Sequence, residues 1–265
     1  MQDFTDFVRG LIGETATGVS DGVIVAMGIV GGLLVLVSIF AMIVSICLAI
    51  SYVKYNRKTN SCGYTGEQVA RKLLDKNGLE NIKVSKTGSI LFGNSYSHYF
   101  KKVRLRRRTW QKDSVTSLTM AAQKSALAVL DKENDPDMRK RVKLTPIIYL
   151  GPIAFVPLII IGALLDLFVY KSGNGTCVIV FSIIGLVFYL VSFIMSIYIL
   201  KTEKKAQARA LELMREDGLA TPEELEMSKK LFKLYNIEYI NDMVVALLEL
   251  IYRALQIVSY VQHSN

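Results

Sequence analysis

Three long apolar runs set the pattern of this chain of 265 residues. Residues 23–53 and 177–200 hold no charged side chain, and residues 146–170 hold only Asp166. Each run exceeds the roughly 20 residues that a helix needs to cross the hydrocarbon core of a bilayer. The pattern predicts three transmembrane helices, with Asp166 near the outer end of the second and exposed to lipid headgroups.

A fourth apolar segment, residues 241–262, differs because polar side chains recur along it at helical spacing. This stripe comprises Asp242, Glu249, Arg253, Gln256 and Tyr260. Because the opposite face is continuous Val, Leu and Ile, we favour a fourth transmembrane helix that turns the stripe into a bundle. Glu249 and Arg253, four residues apart, would then pair. A helix lying flat in the membrane interface is the alternative.

The charge distribution predicts how the chain is oriented. Residues 1–22 carry four acidic side chains and one basic one, whereas residues 51–145 carry 21 Lys and Arg against 8 Asp and Glu. Basic residues are retained on the cytoplasmic side of membranes. We therefore expect the N-terminus outside, residues 51–145 inside, and a hairpin that turns at 171–176 and returns the chain to the cytoplasm at Lys201.

The N-terminal segment has an amphipathic spacing. Its apolar positions are Phe4, Phe7, Val8, Leu11 and Ile12. This spacing predicts an interfacial helix on the outer membrane surface. A frayed terminus is the alternative.

Between the first two runs, the sequence predicts a small α+β domain. Thr65 and Gln68 form a capping box for a helix that Asn77-Gly78 ends. Two short strand patterns follow, within residues 82–92 and 99–105, and residues 131–143 read as a charged, proline-containing linker.

Residues 113–133 form the one apolar, helix-patterned segment that lies between the membrane runs. Ser114 is the predicted N-cap. Small or apolar side chains then recur at three- and four-residue spacing, at Leu118, Ala121, Ala122, Ser125 and Ala128. Another helix could approach this face closely, so the segment is either a catalytic element or a packing element.

A further pair of helices follows the third apolar run. The first ends at Gly218, and the second begins with Thr221 as N-cap, Pro222 at the first helical position and Glu224 as the acid of a capping box.

A basic run lies at residues 101–108, with the sequence KKVRLRRR. Its six cationic side chains are Lys101, Lys102, Arg104, Arg106, Arg107 and Arg108. One interpretation is attraction to anionic lipid headgroups, worth about 1 kcal/mol per basic residue near the surface. The alternative is a solvated flank on the positive side of a membrane protein. We expect no nucleic-acid binding, because no recognition fold accompanies the run.

The order of these parts resembles the YugP-type membrane zinc metallopeptidases over roughly residues 60–255. The residues that carry the resemblance are Val69-Ala70-Arg71, Leu74-Asp75, Asn77-Gly78-Leu79, Ala206, Arg209-Ala210 and Gly218-Leu219. The resemblance implies a zinc site made by two histidines of an Ala-Ala-His-Glu-x-Gly-His-Ala run and by a glutamate after the third membrane helix. The glutamate within the run would activate the metal-bound water.

This chain departs from that motif. Alignment on Ala121-Ala122 puts Gln123 and Leu127 at the histidine positions and Lys124 at the catalytic glutamate, while Glu203 matches the third ligand. The two histidines of the chain, His98 and His263, lie outside the run. We therefore expect neither a bound metal nor another cofactor. Without a metal, we interpret Glu203 as an ordinary solvated acid in a charged run, and an ion pair with Lys124 in place of the metal crosslink is the alternative.

These observations favour a catalytically inactive relative that acts by binding. It would serve as a scaffold or regulatory subunit at the cytoplasmic face of a bacterial plasma membrane, with other membrane proteins or further copies of itself as partners. The alternatives are a metallopeptidase or other hydrolase with an atypical site, and a membrane organiser that binds anionic lipids through residues 101–108. Ser114, Ser117 and Ser125 have no histidine close in sequence and do not suggest a nucleophilic triad.

The predicted fold class is mainly α, a polytopic membrane protein of three or four transmembrane helices with an α+β cytoplasmic domain between the first and second spans. We divide the chain into an outer amphipathic segment (1–22), transmembrane helix 1 (23–53), a cytoplasmic peptidase-like domain (54–145), transmembrane helices 2 (146–170) and 3 (177–200), cytoplasmic helices (201–240) and a fourth membrane-embedded or interfacial helix (241–262).

Overall fold

Helices make up most of the computed structural model, which describes residues 2–13, 18–88, 93–148, 150–170 and 175–264. The helices are α1 (Gln2–Ile12), α2 (Asp21–Asn56), α3 (Gly66–Lys76), α4 (Arg107–Gln111), α5 (Val115–Lys132), α6 (Pro136–Ile148), α7 (Leu150–Leu164), α8 (Thr176–Glu216) and α9 (Pro222–Ser264). Three strands, β1 (Lys83–Thr87), β2 (Ser95–Ser97) and β3 (Lys102–Arg106), lie between α3 and α4, and a π-helical segment (Leu165–Tyr170) follows α7.

Within the described residues, four helices are long and apolar enough to cross a membrane. They are Asp21–Asn56, Ile153–Tyr170, Thr176–Glu216 and Pro222–His263. Together with the small sheet between the first two, they confirm the predicted class, a mainly α-helical membrane protein. The finer division into seven segments stays a prediction.

The chain forms two compact units, and the first comprises Met1–Met42, Leu144–Ile197 and Ile240–Asn265. In this unit α1 is helical, and its Val8 is buried beside Val19 and Ile24. The N-terminal helix predicted from the amphipathic spacing is therefore present. Its position at a membrane surface stays a prediction.

Polar side chains also meet within the first unit. The hydroxyl of Tyr189 donates to Glu249 Oε2 at 2.5 Å, and the guanidinium of Arg253 lies 4.4 Å from the centre of the Phe155 ring. Arg253 and Glu249 are 3.9 Å apart, so the predicted pair is present as a long contact. The contact with the Phe155 ring also stabilises the positive charge of Arg253.

The exposure predicted for Asp166 is wrong. Asp166 is buried, and its carboxylate accepts hydrogen bonds from the backbone N–H groups of Cys177 at 3.1 Å and Val178 at 3.0 Å. These are first-turn donors of α8, which have no partners inside the helix. The carboxylate is drawn inward because it caps that helix. The turn itself, residues 171–174, lies outside the described residues.

The second unit comprises Ile43–Lys143 and Tyr198–Tyr239 and is built around α5. Almost every side chain of α5 from Val115 to Leu130 is buried, including Leu118, Ala121 and Ala128. The same core takes in Leu73 and Leu74 of α3, Val103 and Leu105 of β3, Ala206, Ala210 and Met214 of α8, and Leu231 of α9. The small side chains of α5 make this close packing possible, as predicted for a packing element.

The helix ends of this unit follow the predicted signals. Thr65 and Gln68 form the capping box of α3, and Ser114 caps α5 by accepting from the N–H of Ser117. Gly78 and Gly218 adopt positive φ just beyond α3 and α8, a conformation that glycine adopts without strain.

The sheet of this unit has the order β1-β3-β2. β3 pairs in parallel with β1, placing Val84 beside Val103, and antiparallel with β2, placing Tyr96 beside Val103. The second half of the first strand pattern, residues 90–92, lies outside the described residues.

The linker predicted at residues 131–143 is wrong, because most of it is helical. Asp135 accepts hydrogen bonds from the N–H groups of Asp137 and Met138, at 2.9 and 3.0 Å, and Pro136 begins α6. An N-cap aspartate followed by proline at the first helical position is a helix start signal. The linker was predicted because Pro136 was interpreted as a helix breaker and not as the first residue of a helix.

Candidate functional site

Side chains from three helices of the second unit meet at Glu203 of α8, which has three partners. From α5, Gln123 Nε2 donates to Glu203 Oε2 at 2.7 Å, and Lys124 Nζ lies 3.2 Å from the same oxygen. From α6, an Nη of Arg141 lies 2.6 Å from Glu203 Oε1. One carboxylate thus receives an amide, an ammonium and a guanidinium group.

This cluster is well shielded from solvent. The exposed fractions of the Lys124, Glu203 and Arg141 side chains are 12%, 15% and 17%. Charges at this depth cost free energy unless they are paired and hydrogen-bonded. Two cations around one anion leave the cluster with an excess positive charge.

The pKa values follow from burial and from these neighbours. Burial raises the pKa of Glu203, but the charges of Lys124 and Arg141 and their hydrogen bonds outweigh it and hold that pKa at about 2. Burial lowers the pKa of Lys124, Arg141 adds to this lowering, and Glu203 opposes it. The carboxyl group of Glu203 is therefore ionised, and its two oxygens already contact Gln123, Lys124 and Arg141.

Glu203 is not the solvated acid that the sequence favoured, because its side chain is only 15% exposed. The structure instead shows the alternative, an ion pair with Lys124. It adds Arg141, which the sequence interpretation had left inside the supposed linker. The helix start at Asp135-Pro136 was the signal that would have placed Arg141 on a helix beside α8. Lys205 of α8 supports that placement by pairing with Asp135 at 2.8 Å and with Asp137 at 2.5 Å.

The residues at the family zinc positions do not fit a zinc ion. Leu127 is fully buried in the apolar core, and the amide nitrogen of Gln123 points at Glu203. Lys124 and Arg141 put two positive charges where a dication would have to sit. Zinc sites need nitrogen, sulfur or carboxylate donors that are free to ligate. Within the described parts of the chain, no three His, Cys, Asp or Glu side chains form a group that could hold a metal.

The basic run at 101–108 does not form one continuous site. Lys101 ends a turn, Lys102, Arg104 and Arg106 alternate along β3 with the buried Val103 and Leu105, and Arg107 and Arg108 open α4. Lys101 and the three arginines from 106 to 108 are exposed. The predicted strand face is confirmed by this burial, whereas lipid binding stays a prediction.

The helices and the core together define a class of protein, a polytopic α-helical membrane protein whose second unit is packed around the buried helix α5. The family model described as "Putative neutral zinc metallopeptidase" matches residues 31–258. The chain therefore belongs to that family, and the suspected YugP-type resemblance is confirmed.

Among curated proteins, the chain is similar to the "Putative membrane protease YugP" of Bacillus subtilis (strain 168). The two are 22% identical over 201 residues, which cover 76% of this chain and 84% of the relative. No solved structure matches the chain. The relative and the four apolar helices together make this an integral membrane protein.

Proposed function

We propose that this family member is catalytically inactive and acts by binding proteins at the cytoplasmic membrane face. The observation that carries the proposal is the occupation of Glu203 by Gln123, Lys124 and Arg141. A metallopeptidase needs a metal-bound water and a base beside it. Here an ammonium group stands at the position of the base, and the one retained ligand position is already neutralised.

The same proposal gives the second unit a binding role. A single apolar core built around α5 holds its helices and strands together, and we propose that the outer surface of this unit binds the partner protein. Scaffold or regulatory subunit is the role that such a surface suits, with another membrane protein or a second copy of the chain as partner. The location is a bacterial plasma membrane.

Metal analysis of the purified full chain tests the inactivity. We expect zinc at trace level after expression in zinc-supplemented medium, with the same content in the Glu203→Gln variant. Stoichiometric zinc in the wild type that is lost in Glu203→Gln would overturn the proposal and favour an active enzyme with an atypical site. Glu226→Gln, an exposed change on α9, is the matched control.

Orientation is part of the proposal and has its own test. With the N-terminus outside, trypsin should cleave the basic second unit in inside-out membrane vesicles and spare it in sealed right-side-out vesicles. Cleavage restricted to right-side-out vesicles would reverse the topology.

A second candidate function is attraction to anionic lipid, favoured by the exposure of Lys101 and of Arg106, Arg107 and Arg108. Replacing the six basic residues of the run by Gln should then abolish binding of a short-chain phosphatidylglycerol to the detergent-purified protein. Unchanged binding would remove this candidate.

A further inference from the structure

The second unit contains a cavity of about 530 Å³ away from Glu203, between α5, α6, β2 and the turns around them. Four cationic side chains line it, Lys101, Lys132, Arg139 and Lys143. Among the described lining residues, Asp131 is the one acidic side chain. The cavity therefore has an excess of three positive charges and selects for anions.

The floor of the cavity is a fixed hydrogen-bond network centred on Asp131. The exposed fraction of the Asp131 side chain is 8%, and its Oδ2 lies 2.6 Å from the hydroxyl of Tyr96 and 2.6 Å from Nδ1 of His98. Since a carboxylate only accepts, both neighbours donate to it. Burial, followed by this hydrogen bond, raises the pKa of Tyr96 and keeps its hydroxyl a donor.

His98 is thereby held in one orientation, with Nδ1 engaged and Nε2 as its second polar atom. The described part of the chain supplies no partner for Nε2, and the ring lines the cavity. A histidine fixed by a carboxylate in this way presents a defined nitrogen to a ligand.

Backbone strain is concentrated at the same cavity. Lys101 has φ of 46° and Asn134 has φ of 57°, and among the described residues these are the two non-glycine positions with positive φ. Both line the cavity. Left-handed backbone is unfavourable for a lysine, and such strain clusters at ligand sites.

We propose that this cavity binds a phosphate monoester. A dianion matches two of the three surplus positive charges, whereas a single carboxylate would match only one. Lys101, Arg139 and Lys143 supply donors for phosphate oxygens, whereas Lys132 already donates to the carbonyls of Asn77 and Gly78. His98 uses its Nδ1–H for Asp131, so its Nε2 is not counted among these donors. The volume exceeds that of phosphate alone, and Leu79, Ile82 and Val142 line an apolar part that suits the organic portion of the ligand.

Calorimetric titration of the detergent-purified full chain tests this proposal with two probes, glycerol 3-phosphate and dihexanoyl phosphatidic acid. We expect saturable binding that K101Q/R139Q/K143Q weakens about tenfold or more, since charge-assisted hydrogen bonds are lost. R106Q/R107Q/R108Q removes the same charge from outside the cavity and should change affinity less than about twofold. Binding of both probes indicates a soluble ligand, and binding of the lipid probe alone indicates a headgroup.

The histidines give a second measurement, because the chain has only two. In the His263→Gln variant, the remaining imidazole signal in the ¹⁵N spectrum belongs to His98, and either probe that binds should move it saturably. If the triple variant fails to fold, Lys143→Gln alone, at an exposed side chain, should still weaken binding. No saturable binding, equal losses in both triple variants, or an unmoved His98 signal would overturn the proposal.

Discussion

Glu203, which matches a ligand position of the family, is the centre of a buried cluster of charged and polar side chains. Its carboxylate has an amide and two cations as partners, all largely buried. In such a cluster each partner compensates the desolvation of the others, so removal of one leaves an uncompensated charge. The cluster therefore links α5, α6 and α8 at one point.

A double-mutant cycle measures the contribution of this link. We expect Lys124→Met and Glu203→Gln to destabilise the protein singly and to show a coupling energy of about 1 to 3 kcal/mol together. Chemical unfolding in detergent would give the free energies. The exposed Lys229–Glu226 pair is the control, and we expect its two substitutions to be additive because solvent screens the charges. Strictly additive effects at Lys124 and Glu203 would mean that the pair contributes nothing.

The same carboxylate predicts a dependence on pH. Its pKa is about 2 in the folded chain against an ordinary value of 4.5, so the unfolded chain binds more protons between these values. The stability that Glu203 contributes is complete above pH 4.5 and decreases as the pH falls towards 2. The difference in unfolding free energy between wild type and Glu203→Gln should therefore shrink between pH 5 and pH 3. A constant difference over that interval would contradict the pKa.

At this scale the family resemblance allowed the Lys124–Glu203 pair to be named as an alternative, because it aligned two distant segments on one site. Arg141 could not be found in that way. Its partner is 62 positions away, and no apolar periodicity marks α6. Asp166 was misplaced for a related reason, since its depth in a span says nothing about the helix end that it caps.

Among the elements, the helix starts were the most predictable features. The capping signals at Thr65, Ser114 and Thr221 each precede a helix in the structure, because the side-chain acceptor and the N–H donors it satisfies lie within three residues. Contacts within one helical turn can therefore be predicted from the local sequence. Which face a helix buries depends on elements far away in the chain.

The start of α9 has an additional contact that no local pattern indicates. Glu224 completes the capping box with Thr221 and also accepts from the N–H and the hydroxyl of Ser61, each at 2.6 Å. Burial raises the pKa of Glu224, but these hydrogen bonds outweigh it and lower the pKa below its usual value. The start of α9 is thereby fastened to the loop after α2.

This fastening predicts different effects for two adjacent glutamates. Glu224→Ala should lower the unfolding free energy by about 3 kcal/mol, because several charge-assisted hydrogen bonds and the cap are lost. Glu223→Ala is the matched control, since its ion pair with Lys58 is exposed and contributes about 0.5 kcal/mol or less. Chemical unfolding of both variants gives the comparison. Equal losses would show that the contact with Ser61 adds no stability.

For the whole molecule, the blocks of apolar sequence were enough to predict a polytopic helical fold with an inserted α+β unit. Hydrocarbon thickness fixes the length of such blocks, so the signal is strong in a single sequence. The pairing of residues 43–143 with residues 198–239 in one unit was not predicted from periodicity. It depends on which distant faces fit, and the family resemblance supplied the only hint.

Reconstruction of the family motif tests whether the fold still holds the geometry of a metal site. We expect Q123H/K124E/L127H to bind zinc weakly, because Arg141 still occupies Glu203. Adding Arg141→Ala should tighten zinc binding about tenfold or more, since a competing charge is removed. Competition with a chelator would measure both affinities. Equal affinity with and without Arg141 would mean that Glu203 is not a ligand in the reconstructed site.

The divided second unit has a consequence for its synthesis. The apolar face of α5 shares its core with Ala206, Ala210 and Leu231, which the ribosome adds after residues 144–197. Because synthesis adds roughly 5 to 20 residues per second, the apolar face of α5 lacks these neighbours for on the order of 3 to 10 s. A nascent chain halted before residue 198 would therefore be a substrate for chaperones and proteases, and the unit matures only when nearly the whole polypeptide has been made.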